Sequence, residues 1–148
     1  MFNRLRKILV VDDSPDFRVL FGALLSRFKL DIHYAENGME AIEFLRDNAV
    51  DLIVTDFRMP QVNGVQLLNW CRKNELFYPV IFTTADGVLF STEEIALGDC
   101  CATLLRKPIN PRILHAALCA ADNFDHHSEC MHGSLKEKQA EIEASLVQ

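Results

Sequence analysis

Three short stretches of this chain are apolar at nearly every position rather than at every second one: KILVV (7–11), DLIVT (51–55) and PVIFT (79–83). Strands with that pattern are buried on both faces, which requires a parallel sheet covered by helices on each side. Two weaker runs, DIHYA (31–35) and TLLR (103–106), complete a predicted set of five. The segments between them carry helix punctuation. Ser14-Pro15 supplies an N-cap and a proline at the first helical position. Phe17, Leu20, Phe21, Leu24 and Phe28 then share one predicted apolar stripe. Asn37 with Glu40, and Asn63 with Gln66, resemble capping boxes ahead of Ala41, Ile42 and Leu45 and of Leu67, Leu68 and Cys71. Ser91 with Glu94 opens a predicted fourth helix. Asn110-Pro111 opens a fifth, with Ile113, Leu114, Ala117 and Leu118 inward. Strand followed by helix, five times, is an α/β fold. Right-handed crossovers put the helices on both faces of a doubly wound five-stranded parallel sheet.

A chain of 148 residues suits one domain with a tail. The helical and strand patterns run to Ala121, so residues 1–121 are the expected domain. DNFDHHSECMHG (122–133) is polar and aperiodic and reads as a linker. SLKEKQAEIEASLVQ (134–148) reads as a C-terminal extension helix, capped by Ser134 with Glu137 and edged by Leu135, Ile142 and Leu146. That thin edge could dock, form a homodimer or lead into a further domain. The net charge of −6, with no basic stripe, argues against nucleic-acid binding. The start, MFNRLRKILVVDD, is basic and then apolar, but its apolar part is too short for a signal peptide, and no segment approaches membrane-spanning length. Five scattered cysteines read as free thiols of a cytoplasmic protein.

The acids at the strand ends carry the chemistry. Asp12 and Asp13 end the first run and Asp56 ends the third. Ligands in such sheets sit beyond the carboxyl ends of the strands, where strand order reverses. If the two strands are neighbours, the acids converge. Two carboxylates about 4 Å apart repel by roughly 4 kcal/mol at an effective dielectric of 20. Three together call for a cation, and hard oxygen donors suit Mg²⁺, whereas zinc would want the histidines or cysteines these strand ends lack. Thr84 follows the fourth run and Lys107 the fifth. A metal, a hydroxyl, an ammonium and an acid nucleophile form a set for phosphoryl transfer. Asp12 and Asp13 are consecutive and can share the metal, which leaves Asp56 as the nucleophile candidate. The bland alternative, an Asp that merely caps a turn, suits any one of these acids but not all of them with Thr84 and Lys107.

At this point the chain resembles the receiver domain of bacterial two-component response regulators, from about Lys7 to Ala121. The motifs that carry the likeness are VVDDSP, DFRMPQVNG, TTAD and RKP, with Asp56, Met59, Pro60 and Gly64 matching the family's most specific pattern. The resemblance implies a flavodoxin-like (βα)5 fold of strand order 2-1-3-4-5. It implies that Asp56 is the phosphoacceptor for a histidine kinase or phosphotransfer protein. Mg²⁺ would be held by Asp12, Asp13, Asp56 and the backbone carbonyl of Arg58. Thr84 and Lys107 would grip the phosphoryl oxygens, and Lys107–Pro108 would be cis. An unknown output partner would meet the face between the fourth and fifth helices. Such a protein catalyses only its own phosphotransfer and dephosphorylation. Where the family carries a switching aromatic, three residues before the lysine, this chain has Leu104. GDCCATLLRKP is also longer than the usual spacing, which leaves the start of the fifth strand open.

Arg58 and Asp86 each lie two residues beyond a site residue; either they bridge there and restrict the attacking water, as tuning residues, or they are two solvated side chains. Competing readings are an aspartyl-phosphate phosphatase, for which Arg58 stands where a second acid belongs; a flavin module, whose phosphate the acidic DDSPD loop would repel; and a phosphorylation-independent binding module. Weaker signals are HHSECMH (126–132), read as linker rather than metal site, and Cys100-Cys101, read as packing. His115 reads as a surface residue, or as a partner contact if that face is used. Val88, Leu89 and Phe90 read as buried or as a docking patch.

Overall fold

The computed structural model describes residues 2–59, 61–85 and 102–123. The predicted fourth helix, Asp86, Val88 to Phe90, Cys100, Cys101, HHSECMH and the extension helix lie outside the described residues. Strands β1 (Lys7–Val11), β2 (Asp31–Ala35), β3 (Leu52–Asp56), β4 (Val80–Thr84) and β5 (Ala102–Arg106) form one sheet of order β2-β1-β3-β4-β5. Every pairing is parallel. β1, β3 and β4 are buried almost throughout, as their unbroken apolar runs require. β2, at the sheet edge, is half exposed.

Helices α1 (Pro15–Leu25) and α4 (Pro111–Asn123), the latter being the predicted fifth helix, cover one face. There they pack on Ile8, Val10, Leu52, Val54, Ile81 and Leu105. Helices α2 (Gly38–Asp47) and α3 (Gly64–Lys73) cover the other face, over Leu9, Val11, Ile53, Phe82 and Leu104. Strand alternation dictates this sorting, since successive side chains leave opposite faces.

The helix starts obey their caps. Ser14 Oγ accepts from the N–H of Phe17 at 3.3 Å. Asn63 and Gln66 form a complete reciprocal box, at 2.9 and 2.8 Å. The expected box at Asn37 is only half made: Asn37 accepts from Glu40 N, but the Glu40 carboxylate turns back to the N–H of Glu36. Two further expectations are corrected. Leu20 is 51% exposed, while Leu25 is fully buried. Leu20 lies about 100° around the helix from Phe21, off the stripe centred on Phe21 and Leu25. The last helix continues past Ala121 to Asn123, and Asp122, assigned to the linker from its polarity, is buried.

The opening segment joins the core. Phe2 and Leu5 are buried, and the Phe2 ring lies 5.4 Å from that of Phe28. Asp122 holds this segment, accepting backbone hydrogen bonds from Asn3 (2.9 Å), Arg4 (2.6 Å) and Leu5 (3.0 Å). Nearby, Asp51 accepts from the N–H groups of Arg6 and Lys7, both at 2.9 Å.

Candidate functional site

Strand order reverses between β1 and β3, neighbours in the sheet that lead to helices on opposite faces, β1 to α1 and β3 to α3. The crevice therefore opens beyond the carboxyl ends of β1 and β3. Val11 pairs with Thr55, so Asp12 and Asp56 emerge side by side. Asp12 is fully buried and its geometry is fixed from three sides. Its N–H donates to Ala35 O at 3.1 Å, its carboxylate accepts from Ser14 N at 2.8 Å, and its carbonyl accepts from Arg18 Nη1 at 2.6 Å. Asp56 Oδ1 accepts a long bond, 3.4 Å, from the N–H of Arg58. Asp13 is exposed at the rim. Carboxylate oxygens of Asp12, Asp13 and Asp56 lie within 4.8 Å of one another, the one such group among the described residues.

Gly64 makes the β3–α3 connection fit. An added Cβ would run into the Asp56 carbonyl oxygen and the Phe82 ring, so α3 can start this close to the strand end only with glycine.

Lys107 arrives from β5. Its N–H donates to Thr84 O at 2.7 Å, and the Lys107–Pro108 bond is cis. Its ammonium reaches across β4 to Asp12 Oδ2 at 2.9 Å and Asp56 Oδ2 at 3.2 Å. On its other flank it lies over the Phe17 ring, 4.1 Å from the centroid. Thr84 is buried at the end of β4. Arg58 is exposed. Leu104, in β5, packs on the α2 and α3 side.

The electrostatics are frustrated. Burial pushes the Asp56 carboxyl above its ordinary value, and the Asp12 carboxylate adds to that, against the pull of Lys107. For Lys107 burial works against the charge, but the hydrogen bond to Asp12 and the two carboxylates outweigh it and hold the ammonium above its ordinary value. Three carboxylates thus face one ammonium. The donors are hard oxygens, one pair of them consecutive in sequence, and the unmatched charge is negative. A small divalent cation such as Mg²⁺ fits both.

Residues 8–119 match the profile of the response regulator receiver domain. The chain belongs to that family. Receiver domains are signalling modules that meet histidine kinases or phosphotransfer proteins and output domains, and that bind Mg²⁺ at an acidic pocket. The chain is 38% identical over 105 residues to the response regulator protein PilR of Pseudomonas aeruginosa, covering 71% of this chain and 23% of PilR. It is 30% identical over 118 residues to the autoinducer 2 sensor kinase/phosphatase LuxQ of Vibrio parahaemolyticus, covering 79% of this chain and 14% of LuxQ. It thus spans less than a quarter of either relative. The chemotaxis response regulator CheY4 of Vibrio cholerae superposes with a TM-score of 0.69 at 27% identity, covering 79% of this chain and 98% of that one. The five-stranded order and the fold class expected from the receiver likeness are those of the structure. No described helix is long and apolar enough to cross a membrane.

Asp12, Asp13, Asp56 and Lys107, all predicted from strand ends, come together. Three features escaped the sequence reading. Phe17, assigned to the core stripe, is only half buried and lies against the Lys107 ammonium. Arg18, which holds the Asp12 carbonyl, follows one residue later. Thr83, at the register position of Asp56, carries a buried hydroxyl with no hydrogen-bond partner. Only the doubled threonine in TTAD hinted at the last.

Proposed function

We propose that the protein is a phosphorylation-dependent signalling switch whose phosphoacceptor is Asp56. One observation carries the reading. The Lys107 ammonium bridges Asp12 and Asp56, at 2.9 and 3.2 Å, within a group of three carboxylates. A carboxylate held beside a fixed ammonium has its phosphoryl-oxygen counterion already in position.

The donor is a phosphohistidine of a kinase or phosphotransfer protein. Asp56 attacks phosphorus and an O–P bond forms. The P–N bond breaks, its electron pair returns to the imidazole nitrogen, and that nitrogen takes up a proton. Asp12, Asp13, Asp56 and the Arg58 carbonyl would hold Mg²⁺, which when bound neutralises charge developing on the phosphoryl oxygens. Lys107 gives up its bond to the Asp56 carboxylate and takes a phosphoryl oxygen, and the Thr84 hydroxyl takes another. Leu104 offers no aromatic ring to report the change, so the altered surface is read by other means. Arg58, exposed at the mouth, would act on the water that later hydrolyses the acyl phosphate.

The test is incubation with acetyl phosphate and Mg²⁺ followed by intact-mass measurement. Wild type is expected to gain one phosphoryl group and Asp56→Asn none. A phosphoryl adduct on both would defeat the assignment.

A further inference from the structure

The ammonium of Lys107 sits among three surfaces: the Asp12 carboxylate, the Asp56 carboxylate and the face of the Phe17 ring. A cation within about 6 Å of a ring centroid, over its face, is drawn to the ring quadrupole, and Nζ lies well inside that reach at 4.1 Å. Phe17 is not loose on the rim. Its backbone N–H donates to Ser14 Oγ, the N-cap that directly follows Asp12 and Asp13. Its ring packs at 5.6 Å on that of Phe21, which is fully buried. The turn that sets the two acids therefore also sets the ring. An aliphatic side chain would fill the same space without attracting the charge.

We propose that Phe17 is a positioning residue for Lys107. Its ring holds the ammonium at the junction of Asp12 and Asp56, ready for a phosphoryl oxygen on Asp56, and forms or breaks no bond itself. This rests on Asp56 being the phosphoacceptor.

Two measurements on the full chain test it. The first needs neither metal nor phosphodonor. In a carbon–proton correlation spectrum, the ε-methylene protons of Lys107 are expected upfield of ordinary lysine, shifted by the ring. In Phe17→Leu they return to the ordinary position, and in Phe17→Tyr they stay shifted. The second is the rate of adduct formation from acetyl phosphate with Mg²⁺. Phe17→Leu is expected to react about 5-fold more slowly, with Phe17→Tyr within about 2-fold of wild type. Rescue by Tyr separates the ring from mere bulk, since a packing role would favour Leu at least as well. Phe17→Met serves the same comparison if Leu fails to fold. Ordinary Lys107 shifts in wild type, wild-type rates in the folded Leu or Met variant, or Tyr as slow as Leu would each overturn the proposal. No adduct on wild type, or one retained in Asp56→Asn, would instead count against the phosphoacceptor reading.

Discussion

The two ends of the sheet use carboxylates in opposite ways. At the amino ends of the strands, Asp122 accepts three backbone hydrogen bonds and Asp51 two. At the carboxyl ends, Asp12, Asp13 and Asp56 crowd within 4.8 Å, and Asp12 and Asp56 share one ammonium. Burial alone would push the Asp122 carboxyl up, yet the N–H groups of Asn3, Arg4 and Leu5 hold it below its ordinary value. The Asp56 carboxyl, buried beside another carboxylate, is raised. An acid whose partners are backbone N–H groups stabilises the fold. An acid whose neighbours are acids strains it and waits for something positive.

The largest expected effect breaks the amino end. Asp122→Ala leaves three N–H groups without their acceptor and frees the segment carrying Phe2 and Leu5. Urea unfolding is expected to show a loss of about 2–4 kcal/mol. Asp56→Asn should do the reverse at the other end. Without metal it is expected to leave stability unchanged or raise it by up to about 1 kcal/mol, while abolishing phosphoryl uptake.

Mg²⁺ sharpens the comparison. A cation that binds only the folded protein stabilises it by about 2.7 kcal/mol at 100 times its dissociation constant. Thermal melts are expected to rise with Mg²⁺ in wild type and in Asp122→Ala, but far less in Asp13→Asn. An equal rise in all three would dissociate the metal from the carboxyl-end acids.

The pH dependence should differ in sign. For Asp122 the depressed folded value means that its contribution is present above the unfolded carboxyl value, near pH 4, and is lost as pH falls through the lower folded value. For Asp56 the raised folded value means that the fold is favoured below the unfolded value, and that this advantage is lost as pH rises through the folded value. Stability differences between wild type and each Asn variant, measured from pH 3 to 7 without metal, are expected to slope in opposite directions.

The smallest effect concerns Thr83, whose hydroxyl is buried without a partner. Thr83→Val keeps the shape and removes the unpaired group. Its stability is expected within about 1 kcal/mol of wild type, on the stabilising side.

The same contrast explains what was legible in the sequence. β1, β3 and β4 announced themselves as unbroken apolar runs, and an acid, a threonine or a lysine at the end of such a run is a local signal. Parallel strands then bring those ends together, so Asp12, Asp13, Asp56 and Lys107 could be named from spacing. The amino end had no such signal. Asp122 and Asp51 bond to backbone N–H groups remote in sequence, which have no residue-type signature, and Asp122 looked like linker. Leu20 and Leu25 differ only in a rotation about the helix axis that tertiary packing fixes. Phe17 followed the helical apolar period, and nothing in one dimension distinguishes a ring packed in the core from one beneath an ammonium.

Chemical mapping of the phosphorylated residue tests the central claim most directly. After reaction with acetyl phosphate and Mg²⁺, borohydride reduction converts an aspartyl phosphate to homoserine, which peptide sequencing locates. Homoserine is expected at position 56 alone. Homoserine at 12 or 13, or a phosphoryl group that survives as a serine, threonine or histidine phosphate, would contradict it.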